Sequence, residues 1–411
     1  MSSSSRNATG RVRLSVLATL ASTASGLACA ADVYVQPIVS LATAYNTNVF
    51  LEPKQTKSAE GYYADAATNI GIATPTSDTT LQPRILYNYY PTVGELDRLE
   101  GFLNLHSRYS WQRDLLEVVG FYDHRNDVNA EQPEATFNPV NPGVGGTTPS
   151  TGQINKGITR DYLIVDPTFT HRVTPLTSLG ASAEYQRMSY SLDDPAHVGF
   201  NYYMGKLFAS HAIGVRSELT AGVYGSRYNS SSDVLDATST SGGVEAGGTY
   251  NWSEPLRSSL TLQYQQTKFK EQGNHNVELT TRPWSAIFGT VYTGQVASYR
   301  LDIGRSIAPS SIGGLYTTDQ VRLQYDRDYS PRLHFTGAVR AFKARTTGGV
   351  FGDDTRNYAT GSLKLQYMLR ERLFVAGTYT YIYEKYHFQP DMSDANMVFL
   401  QIGYQGLPRQ R

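Results

Sequence analysis

The chain has 411 residues, with 36 basic residues against 36 acidic ones, 40% apolar content, 30 tyrosines and a single cysteine. Balanced charge leaves no footprint for nucleic acid, and no run of 18 apolar residues follows the amino terminus, which excludes helical membrane spans. A β-barrel stays open, because its strands are only half apolar.

The first 30 residues read as an export signal: Arg6, Arg11 and Arg13 form a basic start, Leu14 to Leu27 an apolar core, and Ala28-Cys29-Ala30 a small-residue cleavage site. Cleavage after Ala30 leaves a mature chain, residues 31–411, without cysteine, which suits an oxidising compartment. Cys29 has a second reading as a lipidated cysteine, against which Gly26 stands where leucine is usual.

From Val33 onward, apolar and polar residues alternate with period 2, the pattern of strands with one face of each kind. The spacing predicts eighteen strands, at 33–50, 61–74, 77–90, 98–111, 114–125, 159–171, 177–190, 195–210, 214–228, 242–252, 256–270, 277–292, 295–308, 315–329, 332–346, 356–369, 372–386 and 395–405. The segment 277–292 is the least regular, because Pro283 interrupts it. The clearest unit is Asn357 to Phe388, two alternating arms about the charged break Arg370-Glu371. Each arm of about 14 residues spans roughly 45 Å, longer than the usual soluble strand.

The connections alternate in length. Short ones fall at Pro75-Thr76, Gln112-Arg113, 172–176, 211–213, 253–255, Thr293-Gly294, Ser330-Pro331 and Arg370-Glu371, and polar loops at 51–60, 91–97, 126–158, 229–241, 271–276, 309–314, 347–355 and 387–394 lie between them. The connection 191–194 is a short exception. Short turns on one rim and long loops on the other belong to outer-membrane barrels. The fold class expected is therefore all-β: one transmembrane antiparallel up-and-down barrel of about 18 strands (16–18), integral to a bacterial outer membrane.

The apolar face, expected toward lipid, carries Val33, Val35, Val39, Leu41, Leu103, Leu105, Leu163, Val165, Phe169, Leu260, Leu262, Tyr264, Val321, Leu323, Tyr325, Val398, Leu400, Ile402 and Tyr404. Tyr45, Tyr87, Tyr109, Tyr185, Tyr264 and Tyr329 lie where aromatic girdles meet head groups. Gly222, Gly247, Gly304 and Gly361 fit the close packing of a curved wall.

The polar face is where function is expected. Pore-lining candidates are the basic Arg84, Arg108, Arg216, Arg300, Arg322, Arg340 and Lys364 and the acidic Glu184, Glu218 and Glu245. Arg300, Arg322, Arg340 and Lys364 fall on four consecutive strands, away from the acidic three, an asymmetry that sets a field across the pore. Self-neutralising pairs such as Arg300 with Asp302 are the bland account. The longest loop, 126–158, either folds inward as a constriction carrying Glu131 and Glu134 or stays outside. The chain has no H-E-x-x-H, G-x-S-x-G or P-loop, and its eight histidines show no metal spacing, so no catalytic residue, metal or cofactor is assigned and the reading is non-enzymatic. Asp193-Asp194 and Asp353-Asp354 are loop pairs suited to cation or lipopolysaccharide bridging, or simply solvated.

The opening of the mature chain, VYVQPIVSLATAYNTNVFLEP, with its aromatic-Asn-x-Asn-x-Phe segment Tyr45 to Phe50 and the meander to the carboxyl terminus, resembles a family of outer-membrane β-barrel porins associated with exopolysaccharide export loci. The resemblance implies a conduit for a secreted polysaccharide, with a periplasmic export partner. The partners expected are outer-membrane lipid, lipopolysaccharide and the barrel-assembly machinery. A departure is the end of the chain: Tyr404 closes the last strand, and Gln405 to Arg411 trails beyond it. The alternatives are a general diffusion porin for small polar solutes and a plugged structural or adhesive barrel.

Overall fold

The computed structural model describes residues 31–132, 134–136, 154, 157–192, 197–231, 236–272, 277–311, 314–347, 355–387, 391–407 and 409–410. The export signal, most of the loop 126–158 and both acidic pairs, Asp193-Asp194 and Asp353-Asp354, lie outside the described residues.

The strands follow in order as β1 (Asp32–Asn46), β2 (Ala59–Ala73), β3 (Ser77–Tyr89), β4 (Arg98–Ser110), β5 (Asp114–Asn126), β6 (Thr159–Arg172), β7 (Thr177–Tyr190), β8 (Phe200–Ala212), β9 (Ser217–Ser231) and β10 (Asp236–Asn251). They continue as β11 (Leu256–Gln272), β12 (Val277–Thr281), β13 (Trp284–Thr293), β14 (Ala297–Ser310), β15 (Gly314–Ser330), β16 (Leu333–Thr347), β17 (Thr355–Met368), β18 (Leu373–Tyr386), β19 (Ser393–Gln405) and the short β20 (Arg409–Gln410). Both β12 and β13 pair with β11, so they form a single stave broken at Arg282-Pro283, where proline offers no N–H to the ladder. The Pro283 carbonyl instead accepts from the Gln265 N–H at 3.2 Å. Eighteen staves result, each antiparallel to the next. The last closes on the first through the register Ile38↔Gln405 to Asn46↔Met397. Closure is obligatory in a bilayer, where each unpaired backbone group costs several kcal/mol.

Alternation decides the faces. In β1, Val35, Val39, Leu41 and Tyr45 point out, while Ser40, Ala44 and Asn46 are buried inward. Leu260, Leu262, Val321, Leu323, Val398, Leu400 and Ile402 are likewise exposed on the exterior. An apolar wall of this extent is unsustainable in water and natural in lipid. Two aromatic belts bound it. Tyr45, Tyr87, Tyr89, Tyr203 and Tyr264 lie toward the long-loop rim, and Trp111, Trp252 and Tyr329 toward the short-turn rim. Tyr109 packs on Trp111 at 4.8 Å, and Tyr292 stacks on Tyr299 at 4.9 Å. A Cβ at Gly222, Gly247 or Gly304 would meet a neighbouring carbonyl at 2.9, 2.7 or 2.1 Å, so close wall packing requires glycine there; at Gly361 the nearest atoms are 3.9 Å away and no such need exists.

Several sequence expectations are corrected. β8 starts at Phe200 rather than 195, because His197 and Val198 are buried and the Val198 N–H donates to the Ser311 carbonyl at 2.6 Å instead of to a neighbouring strand. β10 starts at Asp236 rather than 242: the Ser/Thr-rich run Ala237–Ser241 pairs with Ser226–Ser230, which shortens the loop expected at 229–241. Arg216 lies in the turn before β9 and is exposed at the short-turn rim, so it is not on the pore wall. Beyond Gly406, the tail re-enters the sheet as β20, opposite Tyr34 and Val35.

The lumen is not uniformly wet. At the long-loop end, three inward apolar clusters pack: Val49, Phe50, Tyr90, Val93, Leu96 and Val128; Leu51, Tyr358, Ile382 and Ala395; and Tyr162, Met188, Phe200 and Tyr228. The Tyr228 hydroxyl crosses to donate to the Ser310 carbonyl at 2.8 Å.

Candidate functional site

After β5 the chain turns into the barrel. Asn126 caps a one-turn helix, α1 (Asp127–Ala130), its side-chain oxygen accepting from Val128 N–H at 3.1 Å. Such a cap satisfies one of the orphan amides of a helix start. Glu100 on β4 holds the same turn from the wall, accepting from Asn126 N–H at 3.1 Å and from the Asn129 amide at 2.8 Å.

The segment then runs across the lumen and is pinned by side chains from the far wall. Gln132 donates to the Val49 carbonyl at 3.1 Å. Arg356 on β17 donates to the Glu131 carbonyl at 2.9 Å while its Nε binds Glu384 at 2.6 Å. Arg322 on β15 donates through Nε to the Ala135 carbonyl at 3.0 Å and through Nη2 to the Thr136 carbonyl. Hydrogen bonds from a charged donor are worth about 1.5–3 kcal/mol each, so this strap is held by more than chance packing.

Behind it lies a buried ionic cluster. Arg160 approaches Asp123 at 3.3 Å and Glu131 at 4.0 Å, and His197 meets Asp127 at 3.2 Å. Burial pushes the Glu131 carboxyl above its usual range and Asp127 adds to the shift, while Arg160, Arg356 and His197 oppose it. Ligand-type atoms of Asp127, Glu131 and His197 lie within 4.8 Å of one another, a grouping invisible as a spacing of histidines. Arg160 and Arg356 flank Glu131 and bring the positive charge that a metal ion would otherwise supply, so the cluster reads as an ion network.

On the open side of the strap is a cavity of about 510 Å³. Hydroxyls of Ser40, Thr360, Ser362, Thr378 and Thr380 line it, together with Asp65, Arg84, Glu134 and Lys364. Arg84 binds both oxygens of Asp65, at 2.9 and 3.1 Å. Of the two carboxylates expected in a constriction, Glu134 lines this space, whereas Glu131 is withdrawn into the ionic cluster.

The remaining candidates divide between two walls. Arg322 and Arg340 stand directly opposite on neighbouring strands. Cross-strand like charges repel; here Arg322 is turned onto the strap carbonyls, and Arg340 lies over the Phe342 ring at 5.2 Å. Arg300 sits one inward position lower and pairs with Asp302 at 3.3 Å; Lys364, opposite Thr336, sits two positions lower. The basic row is therefore a diagonal. On the other wall, Glu245 accepts from Lys206 at 3.3 Å and from Gln263 at 2.7 Å, and Glu184 accepts from Gln186. Arg108 faces inward near the short turns, in register with Asp78 and Glu117, and Glu218 is exposed at the same rim.

A closed 18-stave barrel with an apolar outer wall, aromatic belts and a polar lumen crossed by a strap is an integral outer-membrane β-barrel of porin architecture. No family model matches the chain, and no curated protein matches it. Among solved structures, it is similar to OccK2 (OpdF) of Pseudomonas aeruginosa in complex with glucuronate, at 11% identity and a TM-score of 0.43 over 91% of this chain and 98% of that one. It is also similar to a BenF-like porin of Pseudomonas fluorescens Pf-5 (12%, 0.42, over 92% and 99%) and to OccAB3 of Acinetobacter baumannii (11%, 0.41, over 91% and 98%).

Proposed function

We propose that the chain is a passive, selective diffusion pore for small polar solutes, with no chemistry of its own. The observation that carries this reading is the strap held across the lumen by Arg322 and Arg356. It leaves a passage beside a hydroxyl-lined wall in place of a bore for a polymer. A solute shedding part of its hydration there finds donors and acceptors in Ser362, Thr378 and Thr380 and charges of both signs in Arg84, Asp65 and Lys364. The exopolysaccharide conduit implied by the resemblance calls for a wide bore, against which the Arg322 and Arg356 bonds hold the strap in the lumen. Small-solute passage needs no such bore.

Swelling of proteoliposomes in isotonic sugars tests the choice. The expected result is rapid uptake of monosaccharides and a steep fall beyond disaccharides. Equal permeation by long oligosaccharides, or undiminished swelling in polymer-sized solutes, overturns the reading in favour of the conduit.

A further inference from the structure

The outer wall of β13 to β18 departs from the apolar rule near the long-loop rim. Register places Arg305, Asp319, Lys343, Asn357 and Lys385 at one level on five successive strands, with Arg345 one outward position higher. Arg305 binds both oxygens of Asp319, at 2.6 and 2.9 Å, and lies over the Trp284 ring at 4.5 Å; Arg345 reaches the same carboxylate at 3.8 Å. Among the described outward residues of β14 to β19 at this height, Asp394 on β19 is the other carboxylate, so four cations face two anions there. Immediately below, toward the bilayer, the outward positions are small or apolar: Ile303, Val321, Ala341 and Ala359, with Tyr383 at the edge. They form a groove of about 620 Å³.

We propose that this face binds a phosphorylated, multiply acylated glycolipid of the outer leaflet, the lipopolysaccharide class, with its phosphates over Lys343, Arg345 and Lys385 and an acyl chain in the groove at Ala341 and Ala359. The arrangement supplies what such a lipid requires at one site: a cationic row at head-group height and a dent in the wall directly beneath it. Long loops mark this rim as external, and the phosphoglycolipid is the anionic lipid of that leaflet. The exterior of β7 to β9 also carries a groove, beside Tyr185, Tyr203 and Gly225. Among the described residues of β7 to β9, the outward cations near it are Arg187 and Arg227, against the four on β14 to β18, so the charge complement is weaker there.

The test uses the barrel in phosphatidylcholine nanodiscs titrated with fluorescent bisphosphorylated, hexa-acylated lipid A. Each cation near an anionic lipid surface contributes roughly a fivefold factor, so Lys343→Gln with Arg345→Gln weakens binding by roughly thirtyfold. Ala341→Phe, which fills the groove and leaves the charges in place, also weakens it, while Arg187→Gln with Arg227→Gln on the other wall leaves it unchanged. Heat-modifiable gel migration confirms that each variant is a closed barrel. Binding within twofold of wild type in both groove-face variants overturns the proposal. So does equal competition by phosphatidylglycerol, which marks generic attraction of anionic lipid, or an equal loss in the Arg187/Arg227 variant.

Discussion

Arg322 carries more of the pore than its place in the basic row implies. A guanidinium is planar and always charged, with several donors in a fixed fork, which lets one side chain grip two successive carbonyls of the strap. Arg322→Gln keeps a polar side chain and loses the reach and the charge. The expected outcome is a wild-type barrel by heat-modifiable migration, with higher and noisier single-channel conductance in planar bilayers as the strap detaches. Unchanged conductance would show that Arg356 and Gln132 hold the strap without it. Glu131 adds a pH dependence. Its carboxyl is raised above 4.5 in the docked strap, so docking binds a proton that the released strap does not hold. The cost of keeping a buried carboxylate is fully present above the raised value, and it disappears as pH falls through that value toward about 4.5. Conductance should therefore fall as pH is lowered from neutrality across this window, and Glu131→Gln should flatten that part of the profile. A profile unchanged by the substitution places the titrating group elsewhere. Neither role was legible in the sequence, because the strap bonds join residues 187 and 225 positions apart and run from side chain to backbone, where no residue pattern records the partner.

The staves, by contrast, were legible in number and order, with most ends within three residues; the end of β1 and the starts of β8 and β10 lay further off. A strand whose two faces meet lipid and water must alternate, and β17, with Leu363, Leu365 and Tyr367 out and Thr360, Ser362 and Lys364 in, carries that constraint undiluted. Legibility failed where the solvent rule changed. The run Ala237–Ser241 lies above the lipid, so nothing selects apolar residues on its outer face, and it reads as loop although it pairs fully. Arg216 failed for a neighbouring reason, since a predicted strand start at 214 drew a turn residue onto the wall. The same two-faced rule gives an element-scale expectation on β15. Leu323 faces lipid and Gln324 faces the lumen, one residue apart. Leu323→Arg places a charge on the lipid face near mid-strand and should cost about 2–4 kcal/mol, whereas Gln324→Arg keeps its charge in a hydrated lumen and should cost far less. Reversible urea unfolding in lipid vesicles measures both, and comparable losses would mean that the assigned faces are wrong.

At the scale of the molecule, a net charge of zero conceals a separation. Arg322, Arg340 and Lys364 stand on the wall of β15 to β17, and Glu184 and Glu245 on that of β7 to β10, with the strap between them. A transverse field of this kind orients a dipolar solute without sorting simple ions strongly, because both signs line the lumen. The wild-type pore should therefore show a reversal potential near zero in a potassium chloride gradient. Lys364 is the most telling position to change. It lines the cavity below the strap, forms no ion pair among the described residues, and stands two inward positions below the level of Arg322. Lys364→Glu replaces a cation by an anion on the basic wall, leaves the strap anchored, and should turn the pore cation-selective. Screening sets the conditions: with a Debye length of about 10 Å at 0.1 M and about 3 Å at 1 M, the shift should be plain at low salt and shrink at high salt. A change of conductance without a change of selectivity would mean that ions pass on the far side of the strap, along the wall of Glu184 and Glu245.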